Sequence, residues 1–356
     1  MKSAMRGFSK LTVCLDMAGC PNRCRHCWLG HTPNGRMTDE DLRFVAAAFR
    51  PFADVLEMAG WYREPDYTDD YRGRWALEQA LSDEHAPHFE LVSFWRAVRD
   101  TSYVPWLWEQ GVRVCQLTLF GGREMTDCYV GRRGAYDEVV ETVEILLKQG
   151  MVPRIQVFVD RENIREMDGV MALVREREWE TRCAVAGVPF ALFVHQGSCD
   201  GENAKRYAVR VTPEEVAMLP EEMVAHTLRY TGKACLENVF GRTEAAWYAA
   251  LVDSDEVAVL TELRPVLLVD GDFDVYPNST CPAPYWRLGN LKTDGAAAVL
   301  ARYREGGTLA QQIRRTVPLG EIIRAVGQAE SLRLFTRGDY IHWVLNRFCE
   351  REMQND

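Results

Sequence analysis

The stretch Cys20-Pro-Asn-Arg-Cys24-Arg-His-Cys27 places three cysteines within eight residues. It follows a strand-like run, Leu11-Thr-Val-Cys-Leu-Asp16, and its spacing lets the thiolates converge from a loop onto one soft metal centre. Pro21, Asn22, Arg23 and Arg25 make the loop polar and turn-forming, which argues against cysteines packed as small core hydrophobes. The two arginines favour thiolates and an anionic cluster. A cubane 4Fe-4S cluster normally takes four protein thiolates, so three leave one iron open to an exogenous ligand. A structural zinc site is the competing reading, with Cys20, Cys24 and Cys27 joined by His26 or His31. Adjacent His26 and Cys27 can hardly both bind one ion, however, His31 would have to fold back, and no second Cys-x2-Cys pair follows at zinc-ribbon spacing.

Cys-x3-Cys-x2-Cys between a first strand and a first helix resembles the cluster loop of the radical S-adenosylmethionine (SAM) superfamily. The resemblance implies one 4Fe-4S cluster on Cys20, Cys24 and Cys27. Its open iron would chelate the amino and carboxylate groups of SAM, and one electron would cleave the C5'-S bond to give a 5'-deoxyadenosyl radical. The protein's part is then to position the reactants and exclude competing reactions. An electron donor such as flavodoxin or ferredoxin is implied as a partner. The residue before the third cysteine is usually aromatic and near the adenine; here it is His26, with Trp28 following.

At 356 residues the chain has room for one large domain and a smaller one. Hydrophobic residues make up 47% and charged residues 26%, ordinary for a soluble protein with a sizeable core. A formal net charge of -10 argues against a nucleic-acid partner, whose phosphates demand a basic face. Of eleven cysteines, all but the clustered three are scattered without pairing rhythm, so a reducing cytoplasm is expected instead of a secreted disulfide framework. The first apolar run breaks at Asp16, too early for a signal peptide. No apolar run approaches the roughly 18 residues that a membrane span needs.

Along the chain, Thr38-Asp-Glu-Asp41 reads as a capped helix start, with Leu42, Val45, Ala46 and Phe49 on one face. Ala53 to Gly60 reads as a second strand, completing a strand-helix-strand opening. In the resembled fold the end of that strand carries a Gly-Gly-Glu-like turn that holds the SAM amino group. Gly60-Trp-Tyr-Arg-Glu-Pro65 offers Gly60 and Glu64 but lacks the second glycine. Gly121-Gly122-Arg-Glu124 fits the turn better but comes late, and either can be an ordinary strand-to-helix loop. Residues 62–88, rich in Tyr and Asp, read as an insertion over a barrel mouth or as a solvated loop. Leu91 to Gly111 reads as helix broken near Pro105, followed by a strand from Val112 to Phe120 and a helix from Ala135 to Gly150.

The next strand, Pro153 to Asp160, alternates Arg154, Gln156 and Phe158 against Ile155, Val157 and Val159. A polar face on a central strand is costly unless it lines a site, so Arg154 and Gln156 are candidates for the SAM carboxylate and ribose; a solvent-facing edge strand is the alternative. His195 ends the following strand, where a parallel barrel presents active-site residues, although a satisfied core histidine is the default. Alternation from residue 11 to about 230 implies an α/β parallel barrel. The resemblance makes it a partial (β/α)6 TIM-like barrel over residues 1–230, with a smaller α+β extension over 231–356.

That extension opens with Val-Leu-Leu-Val-Asp270-Gly-Asp-Phe-Asp-Val-Tyr-Pro277, a hairpin. It looks like the start of the SPASM or twitch extension of many radical SAM enzymes, which binds auxiliary clusters. Only Cys235, Cys281 and Cys349 follow residue 230, so a scaffold lacking a second cluster is expected. Cys281 could serve as the thiol that returns a hydrogen atom to a substrate radical, as in radical epimerases of the superfamily, or be simply buried. The functional expectation is a radical SAM enzyme of natural-product biosynthesis. It would abstract hydrogen from a small polar metabolite (a sugar, nucleoside or aminoglycoside-like intermediate) for epimerisation, dehydrogenation, elimination or decarboxylation. The early first strand, leaving no room ahead of it for a peptide-recognition domain, tilts against a precursor peptide. A maturase of ribosomally made peptides and a zinc-stabilised, non-catalytic binding protein are the alternatives.

Overall fold

Strand β1 (Leu11–Leu15) turns Leu11, Val13 and Leu15 to one face and Cys14 to the other. It lies between two parallel partners, β2 (Leu56–Ala59) and, on the other side, a strand at Val266–Val269 from the C-terminal third. The computed structural model describes residues 7–16, 19–27, 37–60, 65–84, 88, 90–258, 265–277 and 282–355. Leu56, Met58, Leu267 and Val269 join the outward residues of β1 against the helices Asp39–Phe49 and Gly295–Glu305. The first of these starts at the expected capping box, Thr38 with Asp41, and buries the expected face of Leu42, Val45, Ala46 and Phe49.

A second sheet is wholly parallel: β3 (Val114–Leu119), β4 (Val152–Phe158) and β5 (Ala191–His195), in that order. Leu117, Leu119, Ile155, Val157, Leu192 and Val194 pack beneath the surrounding helices. The register places Gln116 beside Arg154, Thr118 beside Gln156 and Phe158 beside His195 on the opposite face. Ahead of β3, the expected break near Pro105 is earlier. Two short helices, Phe94–Ala97 and Tyr103–Glu109, flank it, and Pro105 sits in the first turn of the second, where a missing N–H costs nothing.

β6 (Arg242–Thr243) pairs with a late strand, Leu334–Phe335. The Val266–Val269 strand, β7, and β8 (Asp274–Pro277) form the expected hairpin, its turn held by the Asp270 carboxylate, which accepts the N–H groups of Asp272 at 3.0 Å and Asp274 at 2.9 Å. β9 (Gly289–Asn290) completes the five-stranded sheet β2-β1-β7-β8-β9, and the Leu334–Phe335 strand is β10. The inward residues Cys14, Ala59 and Leu268 share a core with Tyr276, Trp286, Phe335, Tyr340 and Val344 of the C-terminal third. Among the described residues no helix is long and apolar enough to cross a membrane.

Of the expected partial barrel, the structure shows the coarser part, an α/β fold built on parallel strands. Among the described residues no sheet closes, and the parallel strands fall into two arcs separated between β2 and β3. The reason is the free edge of β2. The N–H of Leu56 donates to Asp83 Oδ2 at 2.8 Å, that of Met58 to Ser82 Oγ at 2.9 Å and that of Gly60 to Glu78 Oε2 at 2.9 Å. Side chains from the end of one helix, Tyr71–Leu81, and the turn after it occupy the donors that a neighbouring strand would take. The segment read as an insertion or loop is thus, in its described part, a helix stitched along a strand edge. Among the described residues, β3's own free edge meets Leu91 alone, with Gln116 N–H donating to Glu90 O at 2.7 Å.

Candidate active site

The cysteine loop leaves the C-terminal end of β1 and is gripped by backbone from two other elements. Arg23 N–H donates to Val130 O and Arg25 N–H to Tyr129 O, both at 2.8 Å, at the end of the Arg123–Val130 helix. The close approach depends on Gly131: its φ is +71°, and a Cβ there would lie 2.8 Å from Arg23 O. On the other side, Glu202 N–H of the short Gly201–Ala204 helix donates to Cys27 O at 2.7 Å. The Arg23 guanidinium folds back onto Cys20 O and Asn22 O at 2.8 Å each. Thus Cys20, Cys24 and Cys27 sit half-buried on a loop held through its backbone.

This donor set suits an iron-sulfur cluster with one open iron. Among the described residues, the one trio of imidazole, thiol or carboxylate ligand atoms within 4.8 Å of one another is Glu180, Glu222 and His226, on the outside of the fold. The three loop thiols do not form such a trio, whereas thiolates about 2.3 Å from one tetrahedral zinc would be about 3.8 Å from each other.

His26 lies in an aromatic slot, its ring centroid 4.7 Å from that of Phe120 and 4.9 Å from that of Phe158. Burial, and secondarily the charge of His195, push its pKa down to about 3, so the ring is neutral. Its Nδ1 is buried with no hydrogen-bond partner among the described residues, an orphan that a bound group could satisfy. His195 ends β5 beside Phe158, at an exposed position. The fold therefore brings two sequence candidates, His26 and His195, together at the strand ends beside the loop.

Gly60 is buried at the end of β2, next to β1, with its N–H taken by Glu78. Glu64 and Cys281 lie outside the described residues. The Gly121 turn ends β3 and is filled by the protein itself. Gly122 N–H donates to Glu166 Oε2 at 2.7 Å, a Cβ on Gly121 would collide with that carboxylate, and Glu124 is exposed. Arg154 pairs with Glu90, and its Nε donates to Gln116 Oε1 at 3.0 Å; Gln116 Nε2 in turn donates to Gln156 Oε1 at 2.7 Å. β4 is the middle strand, so the edge-strand alternative does not apply. At about 3.3 Å per residue, Arg154 sits roughly 13 Å down the strand from Phe158 and Gln156 roughly 7 Å, away from the loop end.

Sequence reasoning missed a buried polar cluster under Gly60. Glu78 and Asp66 are each 4% exposed and His88 5%. Tyr103 O–H donates to Asp66, and His88 Nε2 lies 3.2 Å from the same carboxylate. It also missed Cys199, a buried thiol whose pKa burial pushes up to about 11 and whose sulfur lies 3.3 Å from Arg210 Nη1. Neither carries a motif: Glu78 falls within the stretch read as an insertion or a solvated loop, and Cys199 stands alone.

No protein-family model and no curated protein matches the chain. Solved structures do. Native anSMEcpe with bound AdoMet superposes with a TM-score of 0.52 at 14% identity, over 97% of this chain and 98% of that one. The same protein with AdoMet and the Kp18Cys peptide gives 0.54 at 13%, again over 97% and 98%. Streptococcus suis SuiB bound to S-adenosylmethionine is more remote, at 0.45 and 11% over 94% and 77%. At these identities the likeness is one of fold: the chain shares the fold of the AdoMet-bound anSMEcpe structure along nearly its whole length.

Proposed function

We propose that the protein is a radical SAM enzyme acting on a peptide. One observation carries the reading: three thiols, Cys20, Cys24 and Cys27, stand on one loop at the end of β1, in a fold shared along 97% of the chain with an AdoMet-bound structure. These cysteines hold a 4Fe-4S cluster. The cluster and SAM, when bound, supply the 5'-deoxyadenosyl radical that abstracts hydrogen from the substrate. The chain's residues position it. Gly60, ending the strand next to β1, faces the SAM amino group, and the neutral His26 ring, backed by Phe120 and Phe158, offers an apolar wall with one polar nitrogen. The Gly121 turn is a structural one, its amide already holding Glu166.

A peptide is favoured over the small polar metabolite expected from the sequence, because anSMEcpe, which shares this fold over nearly its whole length, is solved with the Cp18Cys and Kp18Cys peptides bound. A single cluster remains the reading for the cysteines: Cys349 is buried in the apolar core, where burial pushes its thiol up to about 12, and Cys235 is exposed.

The test is anaerobic iron, sulfide and zinc content with an EPR spectrum, for the wild type and for a C20A/C24A/C27A variant. About four irons in the wild type and none in the variant are expected, with 5'-deoxyadenosine formed from SAM under reducing conditions. Iron surviving in the variant would overturn the single-cluster reading, and zinc without iron in the wild type would overturn the enzyme.

A further inference from the structure

Three side chains stitch the free edge of β2, but they are not equivalent. Ser82 and Asp83 lie toward solvent, whereas Glu78 is buried. Its carboxylate accepts one hydrogen bond among the described residues, from Gly60 N–H at 2.9 Å. A serine or a water could satisfy a lone amide; a buried carboxylate costs several kcal/mol of desolvation and is an expensive way to do so. The surroundings do little to offset that cost. Arg74, on the same helix, is 3.0 Å from Asp39, and His88 is engaged by Asp66. Gly60, Asp66, Tyr71, Arg74, Trp75, Glu78 and His88 enclose a cavity of only about 10 Å³, room for roughly one water.

We propose that Glu78 is a positioning residue for SAM: by gripping the Gly60 amide from beneath, its carboxylate fixes the orientation in which the strand-end peptide meets the SAM amino group. This rests on the reading of Gly60 as a SAM contact. The grip depends on charge. An ionised carboxylate makes a shorter and stronger bond to an N–H than a neutral acid does. Desolvation pushes the Glu78 pKa up to about 7, with Asp66 adding to the rise and the Gly60 N–H, His88 and Arg74 opposing it. Around neutral pH, then, the group passes between a strong and a weak hold on the turn.

The experiment is equilibrium SAM binding to the cluster-loaded protein under anaerobic conditions, across neutral pH, for the wild type, Glu78→Gln and Glu78→Ala. Gln keeps a neutral acceptor for Gly60 and cannot ionise, so the ratio of wild-type to Gln affinity cancels the titration of SAM itself. That ratio is expected to be near one at acidic pH and to rise roughly three- to tenfold above pH 7, the difference between a neutral and a charge-assisted bond. Ala, leaving the Gly60 amide without its acceptor, is expected to bind SAM more weakly than Gln at every pH while retaining iron. A ratio that stays flat with pH, or equal binding by Ala and Gln, overturns the role of Glu78 and leaves the enzyme reading standing. Failure of the iron-loaded wild type to bind SAM at any pH overturns both.

Discussion

Glu78 also carries a stability signature separable from its role at the site. Its folded pKa of about 7 lies above the ordinary 4.5, so between those values the folded protein holds a proton that the unfolded chain has released. Stability is therefore lost as pH rises through that window, and above it the buried charge costs on the order of 3 kcal/mol. E78Q should unfold later than the wild type at pH 8, the difference shrinking toward pH 5; chemical denaturation at the two pH values measures it. Gly131 makes a second case. G131A forces a Cβ against Arg23 O from a left-handed backbone, and should cost about 1–2 kcal/mol and lower iron retention, read as iron per chain after desalting. The cysteines were legible in the sequence because the proposed cluster would dictate their spacing. Glu78, Glu166 and Glu90 were not, since a carboxylate's partner is decided by which strand edge or helix end the fold brings to it.

Most elements were legible for the same local reasons that form them: the Thr38 cap, the apolar face after it, and the two faces of β4 all stand as read. The break between β2 and β3 was not, because an edge capped by side chains has the same alternation as one that pairs. Asp83 and Ser82 make this testable. D83A removes the acceptor of Leu56 N–H and the partner of Arg50, and S82A the acceptor of Met58 N–H. Each should cost about 1–2 kcal/mol. Amide exchange should quicken at Leu56 in the first variant and at Met58 in the second, with β4 unaffected.

At the scale of the whole chain, the boundary expected near residue 230 parts two regions that share a sheet, since β7 pairs directly with β1. Residues 1–230 expressed alone would present the edge of β1 and its inward Cys14, together with Ala59, to water. Such a fragment should be recovered as aggregate, or lack the far-UV dichroism of the intact protein, and hold no iron. The substrate class was illegible at this scale, because charge and length bound a partner's chemistry without shaping a pocket. The last helix, Arg337–Asn355, reaches further than packing alone. Its His342 Nε2 is 2.8 Å from Asp200 Oδ1 and its Asn346 Nδ2 3.3 Å from the same atom, two residues before the Glu202 amide that holds the Cys27 carbonyl. The far end of the chain is in this way tethered to the third cysteine of the loop. A tag or fusion at the C-terminus acts on that tether, so the reactivity of the loop thiols is a better gauge of a benign fusion than the yield of protein.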